Sequence, residues 1–129
     1  MGGRTLSGVP RHTDYALARR AVLRDFRAGR LTRLDVCDAH PELQRAARNL
    51  GAPAGECPVC ESTELRFVSY VYGDKLKTAN GRCIATDAEL RKLGKIHDEF
   101  ALYDVEVCVE CGWNHLRRRS LHGRLHRAS

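Results

Sequence analysis

Six cysteines carry the most distinctive chemistry in this chain, and four of them are spaced for a metal ion. Cys57-Pro-Val-Cys60 and Cys108-Val-Glu-Cys111 are two C-x2-C pairs separated by 47 residues. A two-residue gap lets a tight turn aim two sulfurs at one point. Two such turns supply four thiolates, the tetrahedral shell of a structural zinc ion. Pro58 presets φ inside the first turn, and Gly112 permits a positive φ just after the second. Glu61 stands in the first turn where Gly112 stands in the second, so the two are not equivalent in sequence. Paired disulfides, a redox C-x-x-C and a [2Fe–2S] cluster are the competing uses of the same residues. The N-terminus has no apolar secretion segment, which argues against disulfides, and neither pair has the strand–CxxC–helix context of a redox motif. Four thiolates leave no open coordination position, so the expected zinc is structural and function is sought away from it.

Two cysteines remain. Cys37 falls between helical segments and is expected as a buried free thiol, and Cys83 is expected to be more exposed. Either, together with the zinc thiolates, would make a redox switch. His97 and His122 are expected in solvent. Basic residues form two groups, Arg19, Arg20, Arg24 and Arg27 near the N-terminus, and Arg117, Arg118, Arg119, Arg124 and Arg127 near the C-terminus. Net charge is +6, distributed as +5 over residues 1–51, −4 over 52–116 and +5 over 117–129. A mildly acidic centre between basic ends favours a polyanion or an acidic protein surface as partner. Solvated basic faces are the bland alternative, with Asp104 and Glu106 able to neutralise the third strand. Trp113 either packs beside the second cysteine turn or offers a stacking platform for a base, and His115 lies two residues on.

Catalytic signatures are missing. There is no nucleophile with a base at a diagnostic spacing, no P-loop, no G-x-G-x-x-G and no H-E-x-x-H. The expectation is a protein that is not an enzyme. No helix-turn-helix, aromatic RNP pair or GxxG loop supports sequence-specific readout. No run reaches the roughly 18 apolar residues of a membrane span, so no membrane partner is expected and the default location is the cytoplasm.

These residues must be positioned by a small α+β structure. Residues 1–12 are Gly/Pro-containing and read as flexible. A helix starting at Thr13 or Asp14 has Tyr15, Ala18, Val22, Leu23 and Phe26 on one face, and Gly29 stops it. A short turn led by Thr32 and Asp35 follows. Asp38 is expected to cap a helix with Pro41 in its first turn and Gly51 past its end. Residues 13–51 thus form a helical N-terminal region. Residues 52–120 form a three-stranded antiparallel zinc ribbon, from strands at 65–72, 100–107 and 113–120. In the middle strand Ala101, Tyr103, Val105 and Val107 take one face, with Asp104 and Glu106 on the other. An insertion at 73–97 carries a short helix behind the capping box Thr86–Glu89. Residues 121–129 are a basic tail.

The segments DYALARRAVL, VCDAHPELQRAARNLG, CPVC, YVYGD and YDVEVCVECGWNHL together resemble a family of small uncharacterised actinobacterial proteins. The resemblance spans residues 13–118. It implies a cytoplasmic bacterial protein whose signature centres on the cysteines and the CGWNHL strand, and it brings no activity. The functional expectation is a zinc-ribbon binding protein docking on RNA, DNA, the ribosome or RNA polymerase. A protein–protein adaptor and a thiol/zinc redox switch are the alternatives.

Overall fold

The computed structural model describes residues 11–126. It is a mixed α+β structure, a six-stranded antiparallel sheet carrying helices on both faces. In chain order the elements are β1 (His12–Asp14), α1 (Ala16–Arg27), α2 (Arg33–Val36), α3 (Pro41–Leu50) and β2 (Ala52–Pro53). They continue with β3 (Leu65–Tyr72), β4 (Cys83–Ile84), α4 (Asp87–Ile96), β5 (Phe100–Cys108) and β6 (Asn114–His122). The sheet order is β1-β6-β5-β3-β2, and β4 pairs with β3 beyond the end of β2.

The three long strands lie where β-branched and aromatic residues cluster. The sheet is wider than the three-stranded ribbon expected from those clusters. β2 and β4 are two residues each, too short for any alternation to show. β1 lies where a helix start was expected. His12, Thr13 and Asp14 pair with Ser120, Arg119 and Arg118, so the chain is extended before α1 begins. Asp14 still serves the helix, because its carboxylate accepts the Ala16 N–H at 2.6 Å. The other caps divide in the same way. The Thr32–Asp35 and Thr86–Glu89 capping boxes both form. At α3 the cap is His40 in place of Asp38, with Pro41 at the start and Gly51 past the end. Asp38 instead accepts from the Asn114 amide at 3.0 Å.

Successive residues of a strand face opposite sides of the sheet, and that alternation divides the core in two layers. On one face, Leu65 and Cys108 join Leu23 of α1, Val36 of α2, Cys57 and Trp113. Further along that face, Val71 and Leu102 join Leu76, Ile84, Leu93 of α4 and Phe100. On the opposite face Val68 and Val107 pack against Ala47 of α3. The cysteine turns therefore lie at one end of the long strands and the 73–97 insertion at the other.

A β-bulge interrupts the β5–β6 register. Asp104 faces Arg118 and Val105 faces Leu116, which leaves Arg117 as the extra residue. The Arg117 carbonyl accepts the Tyr15 N–H at 3.1 Å, so α1 hangs from the bulge at its first turn.

His97 and His122 are half-buried, where solvent was expected. They flank the buried Phe100, His97 edge-on at 6.5 Å and His122 stacked at 5.9 Å between ring centroids. Ser120 Oγ lies 2.8 Å from His122 Nε2. Burial pushes the His122 imidazole below its ordinary value of 6.5, against the pull of Asp104 toward the charged form. A lowered folded-state pKa means that the unfolded chain takes the proton first. Stability is then expected to decline as pH drops below about 6.5. A His122→Gln variant should show a shallower decline than wild type in urea midpoints taken from about pH 7.5 to 5. Equal slopes would remove this assignment.

Candidate metal centre and the basic surface around it

Two tight turns deliver the four cysteines. The Glu61 N–H donates to Cys57 O at 2.9 Å, and the Gly112 N–H donates to Cys108 O at 2.9 Å. The two turns share a conformation despite their sequences, with φ of +66° at Glu61 and +88° at Gly112. A left-handed backbone suits glycine and strains glutamate, so the first turn holds its shape at some cost. β3 leaves the first turn, β5 enters the second, and β6 leaves it. Leu65 pairs with Cys108, which brings the two turns together at the end of the sheet.

The ligand atoms of Cys57, Cys60, Cys108 and Cys111 all lie within 4.8 Å of one another. Cys57 and Cys111 sulfurs are 3.7 Å apart, and those of Cys60 and Cys108 are 3.6 Å apart. A tetrahedral ion with metal–sulfur bonds of about 2.3 Å requires sulfur separations of about 3.8 Å. The four residues can therefore hold one metal ion. Backbone donors are already aimed at the sulfurs. Val59 and Cys60 N–H point at Cys57 Sγ, and Trp113 N–H points at Cys111 Sγ, each at 3.4 Å. Such donors stabilise negative sulfur. Without a cation, burial still dominates at three of the thiols. It pushes Cys57 and Cys108 up to about 11 and Cys111 up to about 12. At Cys60 burial is outweighed by the Ser62 N–H and the neighbouring thiols, and the value falls.

Beneath the second turn is a feature that sequence alternation could not reveal. Glu106 lies on the face opposite Val105 and Val107, as expected, but it is fully buried there. Arg19 chelates its carboxylate, Nε to Oε1 at 2.8 Å and Nη2 to Oε2 at 2.9 Å. Arg117 Nη1 reaches Oε1 at 2.7 Å, and Trp113 Nε1 donates to Oε2 at 2.5 Å. Burial alone would raise the Glu106 pKa, but these three donors hold it below the ordinary carboxylate value. The Arg117 guanidinium also lies over the Phe67 ring, 5.6 Å from its centroid.

This cluster sorts the residues singled out for binding. Trp113 is 1% exposed, so its ring packs beside the second cysteine turn and offers no open stacking face. His115 stacks against it at 5.9 Å. Arg19 and Arg117 are held by Glu106, Arg118 by Asp104 at 3.0 Å, and Arg124 by Asp98 at 2.9 Å. Arg127 lies outside the described residues. Arg119 is half-buried. Arg20, Arg24 and Arg27 are exposed, and no carboxylate pairs with them among the described residues. They line an open groove of about 650 Å³ with Leu23 and with Pro58 of the first cysteine turn.

Other placements differ from expectation. Cys83 is half-buried beside Tyr70, and burial raises its pKa. Cys37 is also half-buried, with its sulfur 3.4 Å from that of Cys111. Sequence spacing offered no hint of that contact. A polar depression of about 430 Å³ on the same sheet face, lined in part by Ser69, Asp104, Arg118 and Ser120, was missed too. Its lining comes from β1, β3, β4, β5, β6 and the start of α4, so only the folded chain brings it together.

The buried carboxylate can be tested directly. Glu106→Gln keeps the size and an acceptor for Trp113 but removes the charge opposite two guanidiniums. Both arginines retain some contact with water, which discounts the penalty of an unpaired buried charge to about 2–3 kcal/mol. Urea unfolding should read that loss, and an unchanged midpoint would show that the cluster contributes no net stability.

Comparison with known proteins places these features in a family. Two curated proteins described only as uncharacterized, one of Mycobacterium tuberculosis and one of Mycobacterium bovis, are each 43% identical to this chain over 104 residues. The match covers 80% of this chain and 75% of each relative. No solved structure matches. A family model described as a family of unknown function, DUF5318, matches residues 9–129. The chain belongs to that family.

Proposed function

We propose that the four cysteines hold one structural zinc ion, and that this clamp supports a non-enzymatic module which docks on nucleic acid or a nucleoprotein assembly through Arg20, Arg24 and Arg27. Zinc suits the donor set, because four soft thiolates in a tetrahedral arrangement satisfy it without any preferred d-electron geometry. A closed shell also supports a role in folding over a role in chemistry.

The observation that carries the docking surface is the division of the arginines. Among the basic residues singled out in sequence, Arg19, Arg117, Arg118 and Arg124 have carboxylate partners. Arg20, Arg24 and Arg27 have none among the described residues and share one side of α1. At 100° per residue, Leu17, Arg20, Arg24 and Arg27 fall within an arc of about 80°. Three exposed guanidiniums spread over two turns of helix suit a row of phosphates, and Arg forms paired hydrogen bonds with phosphate oxygens.

Specific exposures favour a second reading, an adaptor for an acidic protein surface. Leu17 is 75% exposed at the head of the arginine row, and Leu34 of α2 is 88% exposed. A protein partner would cover both leucines, which a phosphate backbone would not.

The zinc is tested by metal analysis of the purified chain. One zinc per chain is expected, with loss in Cys108→Ser. Zinc content unchanged in that variant would overturn the assignment. Docking is tested by titration with RNA and DNA at several salt concentrations. Replacing Arg20, Arg24 and Arg27 together by Ala should weaken binding and lower the salt slope by about 2–3, at about 0.7–0.9 per phosphate contact. No binding at low salt, or an unaltered slope in the triple variant, would remove nucleic acid as the partner.

A further inference from the structure

We infer that Cys37 is a fifth, non-ligating thiol built against the metal site, and that it forms a disulfide with Cys111 under peroxide, which opens the metal shell. The contact is specific. Cys37 Sγ lies 3.4 Å from Cys111 Sγ, as close as a thiol can approach a neighbouring sulfur in a hydrogen bond. Yet the four-sulfur cluster excludes it, so Cys37 carries no ligand duty. Cys83 has no such neighbour and packs beside Tyr70 and Val105 on the opposite sheet face.

Backbone contacts hold the pair together. The Ala39 N–H donates to Gly112 O at 3.0 Å, tying the segment after Cys37 to the second cysteine turn. Gly112 makes that approach possible, since a Cβ there would lie 3.1 Å from Cys37 O. On the other side the Cys37 N–H donates to Arg33 O at 2.8 Å and ends α2. Cys37 and Cys111 are both half-buried.

The chemistry balances with hydrogen peroxide as oxidant. Peroxide transfers one oxygen to Cys37 sulfur, giving a sulfenic acid and releasing one water. Cys111 sulfur then attacks the Cys37 sulfur. The S–O bond breaks, the oxygen leaves as hydroxide and takes a proton from solvent to become a second water, and the S–S bond forms. Two thiols have lost two electrons to peroxide in total. The sulfurs must close from 3.4 Å to the roughly 2.05 Å of a disulfide. The metal is left with three of its four sulfurs. Leu23 of α1 and Val36 of α2 share a cluster with Cys57 and Cys108, so loosening of the cysteine turns reaches both helices.

The experiment uses the full, metal-loaded chain treated with a small excess of hydrogen peroxide beside a chromogenic zinc chelator. Wild type and Cys83→Ser should release zinc. Peptide mapping without reduction should find Cys37 joined to Cys111, and dithiothreitol should restore metal binding. Cys37→Ser and Cys37→Ala, each first shown to hold its metal, should release zinc about tenfold more slowly or less, because no bulk thiol replaces one held in place. Release at the wild-type rate in those variants would overturn the inference. So would mapping that finds Cys57–Cys60 or Cys108–Cys111 in place of the Cys37–Cys111 bond. The disulfide does not depend on the zinc reading. A chain that carries no zinc yet still forms Cys37–Cys111 would sink the metal assignment and leave this pairing intact.

Discussion

A carboxylate without access to water keeps its charge only if donors surround it, and Glu106 obtains them from three separate parts of the chain. Arg19 comes from α1, Arg117 from the bulge in β6, and Trp113 from the end of the second cysteine turn. Each donor is useful only when its own element is in place. The carboxylate therefore reports on the helix, the bulge and the second cysteine turn together. Register has the same dependence. Without the extra residue in β6, Arg117 would fall on the other face and α1 would lose the carbonyl from which it hangs. A neutral apolar group would fill the space with less demand on geometry, but it would not choose one arrangement of these three elements over another.

That dependence also shapes the electrostatic surface. A net charge of +6 suggests a molecule uniformly ready for polyanions. The fold withdraws much of that charge. Arg117 and Arg118 of β6 pair with acids of β5, and Arg124 just past β6 pairs with Asp98, whereas three arginines of α1 have no carboxylate partner among the described residues. The result is one concentrated basic row in place of two diffuse basic ends.

The legible parts of the structure were those written in short, local patterns. Two C-x2-C pairs, two capping boxes and three β-rich runs are contiguous signals, and each falls within two residues of where the spacing put it, the last strand running to His122 into the expected tail. What escaped was written across the chain. β1, β2 and β4 are strands of two or three residues, formed because a neighbour offers them a free edge. Glu106 alternates correctly with its neighbours, but alternation names a face and cannot say whether a helix covers it. One clue was available. Arg19 lies at 100° per residue on the same side of α1 as Val22 and Phe26, and an arginine on a core-facing position asks for a buried acid. The approach of Cys37 to Cys111 left no comparable trace, since it depends on a turn between α2 and α3 that meets Gly112 only in the folded chain.

The placement of the cysteine turns at one end of the long strands and the insertion at the other divides the molecule by cohesion. β3 is eight residues long, so the two ends stand about 26 Å apart. At the cysteine end, distant segments are cross-linked by sulfur donors and by a buried ionic cluster. At the other end, β4 and α4 rest on apolar contacts with a short ladder. A chain built in this way opens from one side. The opening that costs such a chain least is local unfolding of β4 and α4, and amide exchange in those two elements is expected to precede exchange in the ends of β3 and β5 beside the cysteine turns.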